Sequence, residues 1–232
     1  MKRKLFVIML GVILTGVLSF VIAGGESTSE SSTQPSCQSP AQTNQTSTSV
    51  VWSSSLNTAK NVSYLTTEEK KVIFEINKVR TNPKKYAEEI VKPVKDTSKE
   101  AKELYYELLK TVPRKPLQPN KGLSLAARDH AKDIGGKGIM SHTGSDGSTM
   151  IDRIKWYGSF SGIYGAAENI ACGLNKAEDI VRDLLIDRGV PGRGHRKNIL
   201  IKEMTQVGVS IQPHSKYKYS CVQAFAEGYT SK

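Results

Sequence analysis

Ala166-Ala167-Glu168-Asn169-Ile170-Ala171-Cys172-Gly173 is a run of small and apolar residues with a carboxylate and an amide in its middle. It reads as a buried strand or the start of one. A carboxylate in an apolar neighbourhood needs a partner before it can be buried. Upstream, a glycine-rich stretch leads into Met140-Ser141-His142-Thr143-Gly144; downstream stands Gly194-His195-Arg196-Lys197-Asn198. Two histidines and one or two carboxylates, each in a glycine-rich or turn-like context, describe a cleft whose polar groups come from several elements.

Working outward, Val207 to Ile211 and Tyr219 to Phe225 alternate with period two and read as strands, with Lys216 near the tip of the hairpin joining them. Lys176 to Arg188 is amphipathic, with Ile180, Val181, Leu184 and Leu185 facing in, and Gly189 ends it. Upstream the pattern is helical. Thr66 and Glu69 have capping-box spacing, followed by Val72, Ile73, Ile76 and Val79 at helical intervals. Asn82-Pro83 ends that helix and starts a short one. Ser98 caps a third, carrying Leu104, Tyr105 and Leu108, and Pro113 stops it. Leu123 to Lys132 is a further helix, Gly135 to Gly138 a mobile connection, and Ser148 the cap of a short helix with Met150, Ile151 and Ile154 on its apolar side. Gly158 to Gly165 reads as small and flexible. Helices first and paired strands late predict an α+β domain, a small antiparallel sheet covered by helices.

The start of the chain sets the compartment. Lys2-Arg3-Lys4 precede a nearly continuous apolar run from Leu5 to Ala23, closed by small residues at Ala23-Gly24-Gly25. Residues 1–24 read as a secretory signal or an uncleaved signal anchor, and membrane contact is confined to this segment. Either form places the rest outside, so the protein is expected to be secreted or tethered to the outer face of a membrane. Residues 25–63 are rich in Ser, Thr, Gln and Asn and read as a disordered spacer, leaving 64–232 as the folded domain. In an oxidising compartment three cysteines leave one over. Cys37 lies in the spacer; for Cys172 and Cys221 a disulfide and two separate buried thiols both fit. The net charge of +11 points toward acidic partners. Its lysines are scattered without interleaved aromatics, however, which argues against nucleic acid and leaves a solvated basic surface or an anionic surface polymer.

The chemistry-bearing residues are His142, Glu168, Asp187 and His195. A carboxylate on one imidazole nitrogen fixes the tautomer for metal binding or proton transfer. Two such pairs facing one cleft suit a divalent metal such as zinc, held by His142 and His195 with the carboxylates behind them. His130, mid-helix, reads as structural or exposed, and His214 as surface. Ser141 beside His142 makes a poor nucleophile, since adjacent residues rarely face each other. No His-Glu-x-x-His helix or Gly-x-Ser-x-Gly elbow occurs, so a metal-dependent or His/Glu-based peptidase is the weaker reading and a non-enzymatic protein the stronger.

Ile76 to Arg80, the Leu123 to His130 helix, Glu168-Asn169-Ile170, Gly194 to Asn198 and Val222 to Phe225, in this order, resemble the CAP superfamily of cysteine-rich secretory, venom antigen and pathogenesis-related proteins. The resemblance spans roughly Tyr64 to Tyr229. It implies a three-layer α-β-α sandwich with a central cavity carrying two histidines and two acids, matched here by His142, Glu168, His195 and, by alignment of the preceding helix, Asp187. The family usually has Glu at this last position, and the connection from Asp187 to His195 is unusually short. The resemblance further implies a lipid- or sterol-like ligand or a host or cell-surface partner.

Overall fold

The computed structural model describes residues 51–162 and 165–232. Helix α1 (Thr67–Thr81) opens on the expected capping box, in which Glu69 and Thr66 satisfy each other's backbone N–H groups. Asn82 caps α2 (Pro83–Tyr86), and the chain continues through a π-helical turn (Ala87–Val91) and a 3₁₀ turn (Lys92–Thr97). Ser98 caps α3 (Lys99–Lys110). After β1 (Gln118–Pro119), Asn120 caps α4 (Lys121–Lys137). Then come α5 (Met150–Tyr157), β2 (Gly158–Phe160), β3 (Ala166–Cys172), α6 (Ala177–Ile186), α7 (Gly194–Leu200), β4 (Gln206–His214), β5 (Lys218–Ala226) and β6 (Tyr229–Ser231).

The main sheet has the order β1-β4-β5-β3, with β1 parallel to β4 and the other pairs antiparallel; β2 and β6 form a separate antiparallel pair. Strand alternation sends side chains to two cores. Ala171, Val207, Val209, Cys221 and Phe225 pack with α1, α3 and α6; Ile170, Val222 and Ala224 pack with α4 and α5. Two helical layers around one sheet make the α-β-α sandwich.

Several expectations need correction. Residues 51–63 are packed, so the domain starts before residue 64. Ala59 is fully buried, Trp52 stacks at a tilt on Tyr86, and Asn77 donates to the Leu56 carbonyl. The segments 1–24 and 25–50 lie outside the described residues. Gly135 to Gly138 is no mobile connection: α4 runs through Gly135 and ends at Gly138, a left-handed C-cap. A Cβ on Gly135 would lie 2.2 Å from the Pro213 carbonyl oxygen, so close packing on β4 requires glycine there. Thr149, not Ser148, caps α5, in a capping box with Asp152. Gly158 to Phe160 forms a strand, while Ile163 and Tyr164 lie outside the described residues.

Cys172 and Cys221 are both unpaired. The register sets Cys172 opposite Ser220 and Cys221 opposite Ala171. The two thiols therefore leave the sheet on opposite faces, and no disulfide joins them.

Candidate functional site: two neighbouring histidine–carboxylate pairs

Glu168 lies in the middle of β3 with its carboxylate buried. The partner that burial demands is double. Arg153 of α5, itself buried, donates through Nη2 to Glu168 Oε2 at 2.9 Å and Oε1 at 3.2 Å. His142 Nδ1 meets Oε1 at 2.9 Å. His130 Nε2 stands 3.8 Å from the same oxygen. Burial pushes the Glu168 carboxyl up, but the His142 hydrogen bond and the Arg153 and His130 charges together outweigh it and hold the group below the ordinary carboxylate range. Arg153 Nη2 also donates to the His142 carbonyl, tying the histidine's backbone to the same guanidinium. The side chain of His142 is 58 % exposed, so its outer edge faces solvent.

The second pair is built differently. Asp187 follows α6 as its C-cap in the left-handed conformation, with φ 56°. Its Oδ1 accepts from His195 Nδ1 at 2.7 Å, and its Oδ2 accepts from the backbone N–H of His195 at 2.9 Å. The carboxylate thus caps the start of α7, where Arg193 offers no side-chain cap of its own, as well as orienting the ring. The short connection is held by Arg193, whose Nη1 donates to the carbonyls of Asp187 and Val190. Arg196, fully buried, donates to the Leu185 and Ile186 carbonyls and to Glu103 and Glu107 of α3.

A carboxylate only accepts, so each Nδ1 carries a proton, and in the neutral ring the lone pair sits on Nε2. The two rings stand 6.5 Å apart between centroids, tilted by 33°. All four residues singled out from the sequence are therefore brought together, as two pairs whose rings face each other. Behind them, the fully buried Asn169 donates to the His195 carbonyl, and Asn198 donates to the Glu168 carbonyl and to Asn169 Oδ1. This ties β3 to α7 and fixes the distance between the pairs.

Two imidazole nitrogens with carboxylates behind them suit a divalent metal, so the donor chemistry fits. Among the described residues no three His, Cys, Asp or Glu side chains converge as a metal site. A metal here would have His142 and His195 as its protein ligands and solvent for the rest. Arg153 was not singled out in the sequence. The sole signal for it was that Glu168 needed a cation, which does not say which arginine supplies it. His214 also departs from expectation. It is buried, its Nε2 bonds the Ile139 carbonyl, and its Nδ1 accepts from Lys216 and Tyr217 N–H groups. It braces the hairpin tip against the loop leading to His142.

A three-layer sandwich with two facing histidine–acid pairs defines the class of protein. The family model "Cysteine-rich secretory protein family" (CAP) matches residues 73–225, well over half of the chain, and the chain belongs to that family. The uncharacterized protein YkwD of Bacillus subtilis (strain 168) is 34 % identical over 96 residues, covering 41 % of this chain and 34 % of that one, so the chain spans about a third of the relative's length. Two solved structures are similar in part. An extracellular protein containing a SCP domain from Bacillus anthracis has 21 % identity and a TM-score of 0.40, over 55 % of this chain and 38 % of that one. An outer surface protein from Borrelia burgdorferi has 20 % identity and a TM-score of 0.40, over 57 % and 96 %. Among the described residues no helix is long and apolar enough to cross a membrane.

Proposed function

We propose that this is an extracellular, non-enzymatic CAP-domain protein whose cleft takes up a divalent metal between His142 and His195. The observation that carries this reading is the pair of Nδ1–carboxylate bonds, 2.9 Å at His142 and 2.7 Å at His195, on two rings whose centroids lie 6.5 Å apart, which leaves both Nε2 atoms free of the carboxylates. Support for binding rather than catalysis comes from Ser141. Its hydroxyl donates to the Thr143 carbonyl and accepts from the Thr143 N–H, so it is engaged in its own turn. The set thus holds a general base without an activated nucleophile. The apolar run at the start of the chain supports an extracellular location. The family resemblance supports a lipid- or sterol-like ligand or a surface component as the partner.

Titration of the purified protein with zinc, followed by calorimetry, tests the metal reading. One equivalent is expected to bind, and His142→Ala and His195→Ala are each expected to abolish it while the fold survives. Zinc binding that persists in both variants, or its absence from the parent protein, refutes the paired-imidazole site.

A further inference from the structure

At one end of the sandwich three chain segments meet: the end of α4 with the loop after it (134–140), the turn after β3 (172–176) and the tip of the β4–β5 hairpin (211–220). The Ser215 N–H donates to the Gly135 carbonyl at 2.9 Å, and the Gly173 N–H to the Tyr219 carbonyl at 2.9 Å. Buried His214 accepts two backbone N–H groups of the tip on Nδ1, so its Nε2 carries the proton and donates to the Ile139 carbonyl at 3.0 Å. A Cβ on Gly138 would lie 2.8 Å from Ser215 Oγ and 3.7 Å from Lys216 Cβ, so the loop lies against the hairpin tip. These bonds hold the end together as one surface.

Eight large apolar side chains are exposed among the described residues, and four of them lie here: Ile139 at 40 %, Met140 at 63 %, Tyr217 and Tyr219 at 37 % each. Exposed apolar residues scattered singly need no explanation, but half of them gathered at one end mark a contact surface. The same three segments carry Lys137, Lys176, Lys216 and Lys218 and no Asp or Glu. Asp133, just before the first segment, is turned to Ser145, whose N–H and hydroxyl it accepts. Glu68 reaches the Ala177 N–H beside Lys176. Lys137, Lys216 and Lys218 are exposed, and the Lys216 ammonium lies 5.2 Å from the centre of the Tyr217 ring.

Lysines alone suit any polyanion. Exposed aliphatic and tyrosine side chains among them add little to the binding of a hydrated polymer. At a bilayer surface they enter the interface while the ammoniums meet acidic headgroups. Tyrosine is at home at that depth, and a lysine stem lies along apolar surface with its charge in water. We infer that this end of the domain docks on an anionic lipid bilayer, with Ile139 and Met140 at the headgroup boundary and Lys137, Lys216 and Lys218 on the lipid phosphates. The docking is peripheral, because the polar backbone of a loop needs partners that the hydrocarbon region lacks. Membrane contact then belongs to the folded domain as well as to the N-terminal segment. Ile139 stands three residues before His142, so docking sets the histidine pairs beside the bilayer.

Met140→Trp in the full chain reports on this surface. The variant is titrated with vesicles of phosphatidylglycerol and phosphatidylcholine carrying brominated acyl chains, and tryptophan quenching is read; the parent protein supplies the background of Trp52 and Trp156. Saturable quenching is expected with the anionic vesicles and none with phosphatidylcholine alone, even where the N-terminal segment holds the chain on both. In the same reporter Lys137→Gln and Lys216→Gln each weaken it about fivefold, and high salt weakens it too. Ile139→Ser, at an exposed position, weakens it about tenfold. EDTA leaves it unchanged, which separates this surface from the zinc reading. No quenching, equal quenching by phosphatidylcholine, indifference to both the lysine and the Ile139 changes, or loss in EDTA overturns the proposal. So does soluble polyphosphate that binds as tightly as the vesicles and is insensitive to Ile139→Ser, which assigns the surface to a polymer.

Discussion

Asp187 is the residue where chain length and backbone conformation trade against each other. A shorter side chain than Glu reaches His195 because the residue takes the left-handed conformation and the following loop is short, which brings α7 to the carboxylate. Asp is among the residues that tolerate this conformation. Asp187→Ala is expected to destabilise the fold by about 1–2 kcal/mol through the lost cap, seen in urea unfolding. It should also weaken zinc about 10- to 100-fold in the same calorimetry, through the lost orientation of His195. Glu168 contributes to the acid-side pH dependence. Its folded pKa lies below the unfolded value of about 4.3, so its contribution is fully present above that value and is lost as pH falls through the lower folded one. Unfolding curves at stepped pH should show this acid loss in the parent protein and a flatter profile in Glu168→Gln, whose overall stability is lower because Arg153 is left buried and unpaired.

Among elements, the contact between α4 and β4 limits what the sequence can vary. A Cβ on Gly208 would lie 2.1 Å from the Leu123 backbone carbon and 2.2 Å from the Ser124 nitrogen. Backbone atoms cannot rotate away, so helix and strand would have to separate. Gly208→Ala is expected to cost roughly 3 kcal/mol, measured as a lowered denaturation midpoint. The helix starts were readable locally: Thr66, Asn82 and Ser98 each accept from a backbone N–H three residues on. The end of α4 was not, because Gly135 and Gly136 are weak helix formers and the strand packed against Gly135 is far away in sequence. The strands β1, β2 and β6 were equally hidden, being two or three residues long and paired with distant partners.

At the scale of the whole molecule, the polar spacer ends earlier than composition suggests. Thr58 and Asn77 both bond the Leu117 carbonyl, Lys85 donates to the Val51 carbonyl, and the ammoniums of Lys78 and Lys85 lie over the Trp52 ring. Residues 51–63 therefore close one side of the core formed by α1 and α2. A chain beginning at Tyr64 is expected to melt about 5 °C or more below one beginning at residue 50, by calorimetric scanning. An unchanged midpoint would show that this segment adds nothing to the fold.

The sequence by itself determined the caps Thr66, Asn82 and Ser98, the period-two strands of the late hairpin, the order of motifs that marks the family, and the four polar residues that form the two histidine–carboxylate pairs. These are local signals, set by neighbours within a few positions. Tertiary structure alone decided that Arg153 neutralises Glu168, that Asp187 reaches His195, that His214 is buried, and that Cys172 and Cys221 leave the sheet on opposite faces. Each of these depends on strand register or on the packing of elements distant in sequence. A shift of one residue in pairing would reverse every side chain, and no local pattern encodes it.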